Sequence, residues 1–117
     1  ELEGFDKQKF NLTIKNLKYA NDSIKYFVEK NLKDNSTILN SKKSVILNKN
    51  FFYQPEEIVF RSVTKVLQIV GKNYYPSRGK KVDKIIEKIR KENSFKITLG
   101  NCILKKVNNS IIVSKEH

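Results

Sequence analysis

The chain is 117 residues long and carries a net charge of +12, from 24 Lys and Arg against 12 Asp and Glu. That length predicts one compact domain, and a 38% share of hydrophobic residues supplies a modest core and excludes wholesale disorder. One cysteine excludes an internal disulfide and a cysteine-rich zinc site, and one histidine, at the last position, excludes histidine triads and ligand clusters, which closes most catalytic templates.

A basic balance favours anionic partners, nucleic acid first. Part of it is compositional, because Lys outnumbers Arg 21 to 3 in a chain also rich in Asn and Ile, as an AT-rich genome would produce. Distribution says more: residues 1–60 hold 10 basic and 8 acidic side chains, whereas residues 61–117 hold 14 and 4. No apolar run approaches the ~20 residues of a membrane span, and no leader with a cleavage site opens the chain, so a soluble, intracellular protein is expected. The start at Glu1 without Met suggests a piece of a longer protein.

In chain order, residues 7–33 set Phe10, Ile14, Leu17, Ala20, Ile24, Phe27, Val28 and Leu32 at steps of three and four. This is the period of one helical face, with Asp6 as N-cap and Asp34-Asn35-Ser36 as the stop. One such face does not by itself make a coiled coil. Thr37-Ile-Leu and Ser44-Val-Ile-Leu, separated by a polar stretch at 40–43, predict a small hairpin. Pro55-Glu56-Glu57 predicts a second helix start, with Pro at the first helical position and two carboxylates meeting the positive end of the dipole. Its buried stripe is Val59, Phe60, Val63, Val66, Leu67 and Val70, with Gly71 as a left-handed cap. A third helix is marked by Val82, Ile85, Ile86 and Ile89, and on its other side Lys80, Lys84, Lys88 and Lys91 form a row.

The tail predicts a three-stranded meander, 95–99, 102–107 and 110–114, joined at Gly100-Asn101 and Asn108-Asn109, turns that tolerate positive φ. Two-residue turns pair Leu99 with Cys102, Ile97 with Leu104 and Val107 with Ser110. Phe95, Ile97, Leu99, Cys102, Leu104, Ile111 and Val113 then share the inner face. Lys96, Thr98, Lys105 and Ser114 fall on the outer face with Ile103, Val107 and Ile112. The fold class is therefore α+β: a long N-terminal helix, a small hairpin, two further helices and a C-terminal antiparallel meander. As a single domain over 1–117, it divides into a helical part with the hairpin (5–93) and the meander (94–116).

Chemistry is sparse. Four glycines leave no phosphate-wrapping loop. Glu56 and Glu57 are explained by the helix dipole, and Cys102 by an inward strand position where it packs as a small apolar side chain. No catalytic residue and no metal ligand set is expected. The segment Arg78-Gly-Lys-Lys81, running on to Lys91 behind Tyr74 and Tyr75, fits phosphate neutralisation with aromatic stacking on an unpaired base. It equally fits a solvated helix face with both tyrosines in the core.

Phe60-Arg-Ser-Val-x4-Leu-Gln-Ile-Val-Gly71, Tyr75-Pro-Ser-Arg78 opening a helix, and Thr98-Leu-Gly-Asn-Cys102 in a hairpin ending near Ser114-Lys-Glu116 resemble, in this order, the region downstream of the catalytic domain in tRNA(Ile)-lysidine synthetases. The opening Glu3-Gly-Phe-Asp6 and the helix after it extend the resemblance over almost the whole chain. Ser77 and Asn101 depart from the family's Pro-Pro-Arg and Leu-Gly-Gly-Cys, and Asn is able to replace Gly in a positive-φ turn. The resemblance implies a cytoplasmic ligase of tRNA modification that adenylates the wobble cytidine of an isoleucine tRNA with a CAU anticodon, after which lysine displaces AMP. The Ser-Gly-Gly-x-Asp-Ser loop for ATP and Mg belongs to the N-terminal catalytic domain, which would be a partner of this region, and that loop does not occur in this chain. What the resemblance leaves to this chain is holding tRNA without catalysis, with Arg78, Lys80, Lys81, Lys84, Lys88, Lys91, Tyr74, Lys96 and Lys105 as candidate contacts. The alternative is a structural protein-interaction domain with no nucleic-acid role.

Overall fold

The computed structural model describes residues 7–39, 43–72 and 80–116, with the backbone alone for 7–19 and for Lys80. Its elements are α1 (Lys7–Asn35), β1 (Ser36–Leu39), β2 (Ser44–Leu47), a 3₁₀ turn (Lys49–Tyr53), α2 (Glu56–Gly71), α3 (Lys80–Lys91), β3 (Phe95–Leu99), β4 (Cys102–Val107) and β5 (Ser110–Lys115). The architecture is α+β, as the periodicities predict. The Asp6 cap, most of the 40–43 turn, both tyrosines at 74 and 75, and Arg78 lie outside the described residues.

The hairpin and the meander form one antiparallel sheet rather than two units. Its order is β1-β2-β5-β4-β3, joined by β2 against β5 with Val45 opposite Val113 and Leu47 opposite Ile111. Within the meander the pairs Leu99–Cys102, Ile97–Leu104 and Val107–Ser110 form as the two-residue turns require. Positive φ falls at Gly100, Asn101 and Asn108, the residue types that accept it. Because side chains alternate across a strand, Val45, Leu47, Cys102, Leu104, Ile111 and Val113 all reach one face, and each is essentially inaccessible to solvent.

Helices cover that face. From α2, Val59, Val63, Val66, Leu67 and Val70 enter the core, and from α3, Val82, Ile85, Ile86 and Ile89 do so. Phe60 packs against the core's rim, while Ile58 and Ser62 are buried in addition to the predicted stripe. Phe51 and Phe52 of the 3₁₀ turn close one end, with rings 5.0 Å apart and edge to face. Pro55 is the N-cap of α2 rather than its first helical residue: its carbonyl accepts from Val59 N–H at 3.0 Å, and Glu56 and Glu57 fill the first turn.

Two further expectations are corrected. Gly71 is the last residue of α2, and the left-handed position is Lys72, at φ 60°. Gly71 is small for another reason: a Cβ there would lie 2.2 Å from the carbonyl oxygen of Gly100 and 3.2 Å from Cys102 Sγ. The second correction concerns α1. At 29 residues it is about 43 Å long, against about 24 Å for the 16 residues of α2. The side chains of Phe10, Ile14 and Leu17 lie outside the described residues, and of those from Ala20 on the ones that meet the core are near the C-terminal end. Leu32 packs there and Asn31 is buried, donating to Phe51 O (3.2 Å) and Ser62 Oγ (3.1 Å), whereas Phe27, expected inside, is 51% exposed beside Tyr26. The projecting helix makes the chain elongated, 57 Å along its longest axis.

Candidate nucleic-acid surface

The outer side of α3 follows from its inner one. With four β-branched residues turned to the core, the polar positions face water, and Lys88, Arg90 and Lys91 in the last turn meet the negative end of the dipole. The lysines of the predicted row have different surroundings. Lys91 donates to Glu87 at 2.6 Å; that hydrogen bond and the paired charge hold the carboxyl below its usual range and the ammonium above its own. Lys88 lies 3.5 Å from Glu92. Arg90 is held by Phe52 O at 3.4 Å and Glu56 at 3.7 Å, tying α3 to the start of α2.

Lys81 and Lys84 are exposed and form no ion pair among the described residues. Three positions apart on a helix, they are surface neighbours, and the nearest carboxylate on the same face, Glu87, is engaged by Lys91. Lys80 opens α3, and its side chain lies outside the described set. A groove of about 380 Å³ beside α3 mixes Glu56, Asp83 and Glu87 with Arg90 and Lys91, a lining that does not favour an anion.

Lys96 and Lys105 stand elsewhere. They are direct cross-strand partners on the face of the sheet opposite α2 and α3. The nine candidate contacts are thus not one patch: Lys80, Lys81, Lys84, Lys88 and Lys91 share α3, Lys96 and Lys105 share the outer sheet, and Tyr74 and Arg78 lie outside the described residues.

The sequence pattern assigns no role to Lys106, and the structure gives it one. Following Leu104 by two places, it lies on the inner face, and its ammonium donates to the carbonyls of Ile89 (2.7 Å) and Glu92 (2.8 Å). It caps α3 and is occupied. Cys102 is enclosed; burial, and then the charge of Glu116, push its thiol up to about 11, which suppresses the thiolate at neutral pH. Among the described residues no group of three His, Cys, Asp or Glu lies together as metal ligands, and no helix is long and apolar enough to cross a membrane. No protein-family model, no curated protein and no solved structure matches the chain.

Proposed function

We propose that this chain is the non-catalytic, tRNA-holding region of a tRNA(Ile)-lysidine synthetase, acting in the cytoplasm beside the catalytic domain that binds ATP, Mg and lysine. The observation that carries the reading is the order and spacing of the Phe60–Gly71, Tyr75–Arg78 and Thr98–Cys102 motifs, extended by Glu3–Asp6 with the helix after it and by Ser114–Glu116 over almost the whole chain. The exposed Lys81 and Lys84 of α3, which form no ion pair among the described residues, support it, because a phosphate backbone attracts such cations. In this reading Lys81 and Lys84 contact phosphate, Lys88 and Lys91 exchange their glutamate partners for it, and the chain itself forms no lysidine.

The test is binding of an isoleucine tRNA transcript across a salt series. Affinity that falls steeply with salt supports the reading; binding that is absent, or indifferent to salt, refutes it. A second reading, a protein-interaction domain, is favoured by the exposed Tyr26 and Phe27 on the projecting part of α1. It expects a salt-insensitive protein complex that Phe27→Ser weakens.

A further inference from the structure

The outward face of the sheet breaks a rule of strand pairing. Lys96 on β3 stands directly opposite Lys105 on β4; both are exposed, and like charges placed so destabilise a strand pair. On its other side Lys105 faces Ile112 of β5, which offers no compensation. No carboxylate occurs among the outward residues of the five strands; apart from the two lysines they are serines, threonines and aliphatics. Lys105 also lines an open groove of about 680 Å³ at the end of the sheet by the β4–β5 turn, together with Asn93, Ser94, Lys106, Val107, Asn108 and Asn109. Lysines for phosphate, with amides and a hydroxyl for sugar and base edges, are the groups that a polynucleotide strand uses.

We infer that the outward sheet face is a second RNA-contact surface, in which Lys96 and Lys105 hold one phosphate between them and the strand continues into the Asn108–Asn109 groove. A bridging phosphate converts their mutual repulsion into shared attraction, which accounts for a pairing that the free protein would be more stable without. The inference rests on the tRNA-holding reading and adds a geometric claim to it. Helices α2 and α3 cover the inner face of the sheet and this surface is the outer one, so a duplex lying on α3 does not also cover Lys96 and Lys105. The domain would touch two separate stretches of one tRNA.

The experiment compares three proteins against an isoleucine tRNA transcript: the full chain, K81Q/K84Q and K96Q/K105Q. Affinity is measured over a salt series, hydroxyl-radical footprints are recorded, and melting temperature is taken as the folding control. The inference expects K81Q/K84Q to lower the salt slope by about two units, and K96Q/K105Q, which gives up one shared phosphate, to lower it by about one. It also expects each to lose a different protected stretch, and K96Q/K105Q to melt at or above the temperature of the full chain. A full-chain slope and footprint in K96Q/K105Q, with losses in K81Q/K84Q, overturns the second surface and leaves the tRNA reading standing. Losses in both variants confined to one stretch of tRNA also overturn it. Salt-independent or absent binding by the full chain refutes the tRNA reading itself, and the inference with it.

Discussion

Gly71→Ala sets two effects of opposite sign against each other. In a helix, alanine is favoured over glycine by up to about 1 kcal/mol, so helix propensity alone predicts a more stable protein. The structure predicts the reverse. The new methyl would lie 2.2 Å from the Gly100 carbonyl oxygen, a backbone atom of the β3–β4 turn that no rotamer change moves. Overpacking of this kind costs about 1–3 kcal/mol, and so deep an overlap places it at the upper end. The net loss is about 2 kcal/mol, or a melting temperature lower by about 8 °C in a domain of this size. Thermal and urea unfolding of Gly71→Ala measure it. Asn101→Gly, which relieves a left-handed residue of the same turn, serves as control and should be neutral or slightly stabilising. A Gly71→Ala protein as stable as the parent would mean that α2 and the β3–β4 turn do not meet backbone to backbone.

Leu104→Ala should cost about 2–5 kcal/mol, since Leu104 is 1% exposed in the core, whereas Lys105→Ala on the outer face should lie within about 0.5 kcal/mol; equal losses in denaturant would refute the register. Asn31→Ala, which leaves Phe51 O without its side-chain donor and removes the bond to Ser62, should cost about 1–3 kcal/mol, read from the same titration. Lys106→Met keeps the aliphatic stem but releases two carbonyls at the end of α3, and a loss of about 1 kcal/mol is expected; Lys105→Met should show none of it. Cys102, with its thiol pushed up to about 11, should react with a maleimide at pH 8 only after unfolding. Because its proton is held more tightly in the folded state, its contribution is full below the ordinary thiol value near 9.0 and is lost as pH rises toward about 11. A Cys102→Ala variant should show a shallower alkaline decline than the parent.

The meander was the most legible part of the chain, because alternation and two-residue turns leave little freedom: once Gly100-Asn101 closes, Leu99 must meet Cys102 and every later side chain has its face assigned. The same parity puts Lys106 inward, but its charge argued for solvent, and only the open end of α3 shows what an inward lysine does. Asn31 is a parallel case. It continues the α1 stripe after Ile24 and Val28, yet as a polar residue it gave no core signal without the partners at Phe51 and Ser62. The pairing of β2 with β5 was invisible for a different reason, since local patterns mark strands but not which distant strands are neighbours. The row of lysines on α3 was legible as a row. Which of its members carry a glutamate partner depended on spacing that sequence shows and on rotamers that it does not.

The position of β5 governs how the chain can assemble. It is the last strand in sequence and the middle strand of the sheet, closing a contact between Leu47 and Ile111 across more than half of the chain. Until it leaves the ribosome, the β1–β2 and β3–β4 hairpins are two unjoined halves, each with an open edge of unpaired amides and carbonyls, and α2 has only part of the surface it must bury. Late closure of so distant a pairing is intrinsically slow, and open edges of this kind invite pairing with other chains. Shortening the chain by its last strand should therefore do more than loosen an end: it should leave two sticky half-sheets and an insoluble product, whereas trimming β1, at the rim, should leave the other four strands paired.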